Sequence, residues 1–206
     1  LDLNGEGRLA YRVLRDGKPL IADSRLGFIL RNDRQLLRNF RLDAHSARGF
    51  DETWEQPWGE RRFVRNRYNE LRAGFSEKDH DRRRIDVVFR VFDDGIGFRY
   101  EFPQQPTLDA VEIVEELTEF AIAQPAIAWW IPALEWNREE YLYNRTPLAE
   151  VGIAQTPITL RTGDGTHLSI HEAALIDYAG MNLRKRGDVR LRASLTPGSP
   201  ANVVRR

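Results

Sequence analysis

IDVVFRVFDDGIGFRYEF, Ile85 to Phe102, decides the fold class. Ile85, Val87, Phe89 and Val91 alternate onto one face of a first run. Phe98, Tyr100 and Phe102 do the same on a second run, with Arg99 and Glu101 on its other face. Alternation with period two is the mark of a half-buried strand. The Asp93-Asp94-Gly95 phrase between the runs reads as a tight turn using positive φ angles. Two one-sided strands need a second layer to cover them, so the hairpin predicts an antiparallel sandwich.

Similar signals recur along the chain. Leu9–Leu14 and Lys18–Ile21 flank Asp16-Gly17, and Pro157–Leu160 and His167–Ala173 flank Gly163-Asp164-Gly165. Arg62–Phe75 and Ser24–Leu30 carry shorter strand signals, and Leu183–Leu195 reads as a last strand pair. Leu108–Phe120 fits helix and strand spacing alike, and its Ile, Val, Thr and Phe favour strand. Asn32–Asp51 reads as polar and irregular, Ser76–Arg84 as a solvated charged turn, and Ala121–Pro147 as a proline-interrupted excursion. The whole predicts an all-β chain, a large antiparallel β-sandwich domain over residues 1–195, followed by a Pro-Gly-Ser linker over 196–206.

Composition narrows the function classes. The 206 residues hold 31 Lys and Arg against 31 Asp and Glu, a zero balance that argues against a nucleic-acid binder relying on a net positive field. There is no cysteine, hence no disulfide framework and no thiolate metal site. No apolar run reaches the roughly 20 residues of a membrane helix, so no membrane partner is expected. Leu1 is not a natural start, and an N-terminal segment, with any signal sequence in it, is expected to have been removed.

Few residues carry chemistry. Glu172 shares strand parity with Leu168 and Ile170, the side their pattern marks as core. A carboxylate there must stand at a strand end, be paired, or bind a cation. Its ordinary role is a solvated strand-end glutamate, and its sharper role is a hard-cation ligand. His171-Glu172 opens like a zinc H-E-x-x-H motif, but Leu175 stands where the second His belongs. His167 and His171 on a strand would lie about 13 Å apart at about 3.3 Å per residue, too far to share a metal. Trp54, Trp58, Trp129, Trp130 and Trp136 are core fillers or sugar-stacking platforms. Glu112, Glu115, Glu116 and Glu119 offer a carboxylate pair for glycosidic chemistry or, as charge runs more often do, a solvated acidic face. No nucleophile elbow, phosphate-binding loop or dinucleotide fingerprint occurs.

An ordered series of phrases carries a family resemblance. They are Ser24-Arg25-Leu26-Gly27, Trp54 with Gly59-Glu60, Asn66-Arg67-Tyr68-Asn69-Glu70, and Phe89-Arg90-Val91-Phe92-Asp93-Asp94-Gly95 with Phe98-Arg99-Tyr100. Glu116-Leu117-Thr118-Glu119-Phe120, Thr156-Pro157, and Glu172-Ala173 with Asp177-Tyr178 follow. Together they resemble the N-terminal domain of glycoside hydrolase family 97, bacterial α-glucosidases and α-galactosidases. The resemblance implies a galactose-mutarotase-like super-sandwich packed on a catalytic (β/α)₈ barrel of the same polypeptide. A barrel takes about 250 residues, more than this chain holds, so the linker is expected to lead to it. The resemblance further implies a carbohydrate substrate, a periplasmic or secreted location, and a calcium ion to which the Glu-Ala phrase lends one ligand. The matching position is Glu172. The expected function is a non-catalytic domain that completes the calcium site of an exo-acting α-glycosidase. Alone, it is expected to bind calcium poorly and hydrolyse nothing. The alternatives are a free-standing carbohydrate-binding module using Trp129, Trp130 or Trp136, and a mutarotase-like epimerase pairing His167 or His171 with Glu172.

Overall fold

The structure, a computed structural model, describes residues 1–204 apart from 32, 80–81, 109, 135–139 and 199–201, with 202–204 as backbone alone. The fold class is the one read from the sequence: all-β, with antiparallel sheets of the β-sandwich kind. The single domain expected over residues 1–195 divides into two compact units. The larger comprises Leu1–Arg38 and Ala110–Arg206, and the smaller Asn39–Asp109.

In the larger unit a seven-stranded sheet runs in the order β1 (Asp2–Leu3), β2 (Leu9–Arg15), β3 (Lys18–Arg25), β10 (Glu119–Ile122), β17 (Arg190–Thr196), β16 (Gly180–Lys185), β13 (Ile153–Ala154). A four-stranded sheet follows the order β12 (Asn144–Pro147), β11 (Ala126–Trp130), β14 (Ile158–Thr162), β15 (His167–Ile170). A third sheet is β18 (Asn202–Val204), β9 (Val111–Glu116), β4 (Phe28–Leu30). The segment read as a linker thus supplies β18, which pairs with β9. Leu9, Phe28, Ile113, Ile122, Ile158, Leu160, Leu183 and Leu191 are buried, at the alternating spacing a one-sided strand dictates.

The smaller unit is one sheet, β5 (Phe40–Glu55), β6 (Phe63–Glu77), β7 (Arg84–Val91), β8 (Ile96–Glu101). Ile85, Val87 and Phe89 are buried as their alternation requires, and Phe89 stacks on its cross-strand partner Phe98 with ring centroids 5.0 Å apart. The long β5 replaces the irregular stretch expected before Asp51. Its residues, exposed apart from Phe40 and the half-buried Phe50, pair with β6 through Asp51–Arg65 and Arg48–Glu70 bonds and a Phe50–Tyr68 stack. Cross-strand contacts, not a buried face, hold this strand.

The turns also differ from expectation. Positive φ occurs at Asp16 and Gly17, 52° and 74°, which fits the mirror-image turn of a two-residue hairpin. Gly95 has no positive φ. There the connection takes four residues, closed by the Phe92 N–H donating to the Gly95 carbonyl at 2.8 Å, and a longer loop does not need the mirror-image turn. Nor is Ser76–Arg84 solvated throughout. The Glu77 N–H donates to the Arg83 carbonyl, and the two side chains form a bidentate ion pair at 2.6 and 2.7 Å, 4% and 1% exposed.

Candidate functional site

Glu172 stands just past the end of β15, not within it. The β14–β15 register sets Ile158 opposite Ile170. Carried two residues further, it brings Thr156, which precedes a cis peptide bond to Pro157, opposite Glu172. The Thr156 hydroxyl donates to Glu172 Oε2, and the Met181 N–H of β16 donates to Glu172 Oε1 at 2.5 Å. The carboxylate is half-buried and tethered from both sides, by the lead-in to β14 and by the sheet that holds β16. Among the described residues it has no cationic partner. Each oxygen accepts one hydrogen bond, so each keeps a lone pair to offer a cation.

The chain beyond Glu172 is exposed from Ala173 to Asp177, with Leu175 at 53% and Ile176 at 77%. Apolar side chains beside a half-buried carboxylate form a surface suited to a partner. Tyr178 then turns back, its hydroxyl donating to Glu116 Oε2 at 2.8 Å.

Among the described residues no three His, Cys, Asp or Glu side chains gather as a metal site. A carboxylate oxygen such as those of Glu172 is of the donor type calcium takes, an ion that needs six to eight oxygens. His167 and His171 are both exposed, and His171 Nδ1 lies 2.8 Å from the carbonyl of Glu172. Trp129 lies between Arg145 and Arg161, their guanidinium carbons 5.5 and 5.7 Å from its ring centroid, which works against an open sugar platform. Trp130 donates its Nε1–H to the Thr146 hydroxyl at 3.1 Å. Trp54 and Trp58 are exposed, and Trp136 lies outside the described residues.

The acidic run does not form one solvated face. Glu112 pairs with Arg31 and Glu115 with Arg192. Glu119 is buried on β10, bonded to Arg25 of β3 and Arg190 of β17 at 2.6 Å each. Burial pushes its carboxyl up, but the hydrogen bonds and charge of Arg25, with the charge of Arg190, hold it below the usual carboxylate range. Glu116 is the residue the sequence hides. β9 pairs Leu30 with Ile113 and Ile29 with Glu115, leaving Val114 as an extra, bulged residue. The bulge puts Glu116, opposite Phe28, on the face shared by Ile113 and Leu30. Its carboxyl accepts from the Thr118 hydroxyl at 2.5 Å as well as from Tyr178. Part of the residue's surface stays exposed, yet the carboxyl sits among protein atoms, and burial raises it above the ordinary range.

Residues 1–202 match the Glycosyl-hydrolase 97 N-terminal family. Among solved structures, the chain is similar to a Glycoside Hydrolase Family 97 enzyme in complex with acarbose from Pseudoalteromonas sp. strain K8. Identity is 41% and the TM-score 0.90, over 95% of this chain and 30% of that one. A β-arabinopyranosidase structure, 23% identical over 98% of this chain and 35% of its own with a TM-score of 0.87, shares the fold. Among curated relatives, a retaining alpha-galactosidase of Bacteroides thetaiotaomicron is 23% identical over 96% of this chain and 30% of its own length. A probable retaining alpha-galactosidase of Streptomyces bingchenggensis is 30% identical over 69% of this chain and 21% of its own. The chain therefore spans less than a third of the curated relatives it matches.

Proposed function

The chain belongs to the glycosyl-hydrolase 97 N-terminal family, and from that premise we propose that it is the non-catalytic domain of an α-glycosidase, lending Glu172 to a calcium site completed by the catalytic part of the polypeptide. The observation that carries this reading is the Glu172 carboxylate itself. Thr156 and the Met181 N–H orient it, no cation neutralises it among the described residues, and it opens the exposed segment bearing Leu175 and Ile176. An ion paired within its own domain has its charge satisfied. One oriented by neutral donors keeps its charge for a cation supplied across an interface.

The division of labour follows from the side chains present. Bound at such a site, calcium supplies a fixed positive charge that orients a sugar hydroxyl or stabilises charge near the scissile bond. Thr156 and Met181 hold the Glu172 oxygens in place, and Leu175 and Ile176 offer apolar surface for docking. The acid and the second carboxylate of a glycosidase come from outside this chain.

Isothermal titration of calcium into the full-length protein and its Glu172→Gln variant tests the proposal. The amide keeps an acceptor for the Met181 N–H and a polar partner for Thr156, so the fold survives while the ligand charge is lost. The expected result is at least about tenfold weaker calcium binding, with hydrolysis of aryl α-glycosides falling at low calcium and recovering at high calcium. Equal affinity in the two proteins would contradict it.

A further inference from the structure

One segment leaves β15 at Ile170 and enters β16 at Gly180. Glu172 holds its near end through Thr156 and Met181, and Tyr178 holds its far end through Glu116. Between them Ala173–Asp177 is exposed, and Asp177 takes a φ of 48°. Asp177 thus bends the chain just before its second anchor.

That second anchor is unusual for a scaffold. An apolar residue at Glu116 would pack against Phe28 and Ile113 without the cost of desolvating a carboxyl. Glu116 instead spends its two oxygens on two hydroxyls, those of Thr118 and Tyr178. Burial raises its pKa, which makes it a weaker acid, and both hydroxyls donate to it. The bulge at Val114 is what brings it to the interior face. A distorted strand, a desolvated carboxyl and a tyrosine all converge on the segment that carries Glu172.

We propose that Glu116 and Tyr178 are positioning residues for Glu172: their hydrogen bond fixes the far end of the Glu172 segment and so the direction in which its carboxylate faces a cation. The inference rests on the reading of Glu172 as a calcium ligand. Without the anchor the segment samples more conformations, and the entropy of ordering it is charged against calcium binding.

The test uses the full-length protein, with calcium affinity from isothermal titration and the thermal midpoint in chelator as separate readouts. Tyr178→Phe removes the hydroxyl and keeps the ring. Glu116→Leu removes the carboxyl and fills its space. Both are expected to weaken calcium binding about tenfold while the calcium-free midpoint of Glu116→Leu stays at or above that of the wild type. Glu116→Gln, which keeps the side chain's shape, a carbonyl acceptor for one hydroxyl and an N–H donor to the oxygen of the other, is expected to restore wild-type affinity. Wild-type affinity in Tyr178→Phe and Glu116→Leu beside a weakened Glu172→Gln would overturn the positioning role and leave the ligand reading intact. Wild-type affinity in Glu172→Gln would remove the ligand reading and this inference with it. Affinity lost only in step with the calcium-free midpoint, in both variants, would make the contact structural and also overturn the proposal.

Discussion

On inner strands of both units, a glutamate is clamped by arginines from the two neighbouring strands. In the larger unit Glu119 of β10 lies between Arg25 and Arg190. In the smaller unit Glu70 of β6 lies between Arg48 and Arg90 at 2.7 and 2.9 Å. The larger unit differs in also holding Glu116 and Glu172, whose partners are hydroxyls and a backbone N–H. A carboxylate with two guanidiniums has its charge answered within its own sheet and serves as a strap. One oriented by neutral donors has no guanidinium to answer it among the described residues: burial raises the carboxyl of Glu116, and Glu172 is proposed to meet its cation across an interface. In this chain the company a carboxylate keeps, more than its burial, separates the arginine-clamped straps from the carboxylates held by neutral donors.

The comparison can be broken first where charge is most enclosed. Arg83→Met leaves the Glu77 carboxylate buried without its cation and should cost about 3–5 kcal/mol, read by urea unfolding. Adding Glu77→Leu should recover most of the loss, because replacing both members of a buried pair by apolar groups is far milder than stranding one. A small effect of the single variant would show that solvent reaches the pair. Glu119→Gln should cost less, about 1–2 kcal/mol. Arg25 and Arg190 are 60% and 35% exposed, so water takes over much of their solvation when the charge goes.

The smallest effect is in the pH dependence, where the two glutamates of the Glu116-Leu-Thr-Glu119 phrase should act in opposite directions. Glu119 is held below the ordinary carboxylate range. Its unfolded form therefore binds the proton first, and its contribution, present above that range, is lost as pH falls through the lowered value. Glu116 is raised. Its folded form holds the proton longer, so its contribution is full below the ordinary carboxylate pKa and fades as pH rises through the raised value. Unfolding free energy measured across the acid range should flatten on the acid side in Glu119→Gln and on the alkaline side in Glu116→Gln. The same slope in both variants would end the distinction.

Much of the fold was legible because its strands advertise a buried face. Ile85, Val87 and Phe89 alternate, and so do Ile158 and Leu160, and the structure buries them accordingly. β5 was not legible, since its side chains are mostly exposed and its support comes from β6 residue by residue. The Arg83–Glu77 pair hid inside a charged run because its burial depends on how the backbone closes between Glu77 and Arg83. Glu172 could be singled out by parity with Ile170, but its partner Met181 belongs to another sheet and no local spacing announces it. Glu116 was hidden by one bulged residue, Val114, which reverses the alternation just before it.

The most direct measurement is a crystal structure of the full-length protein grown with calcium, with the ion identified by anomalous scattering. The account predicts a Glu172 carboxylate oxygen at about 2.3–2.6 Å from the ion, with the Met181 N–H still bonded to that side chain. Calcium bound in the catalytic part with Glu172 beyond coordinating distance would contradict it.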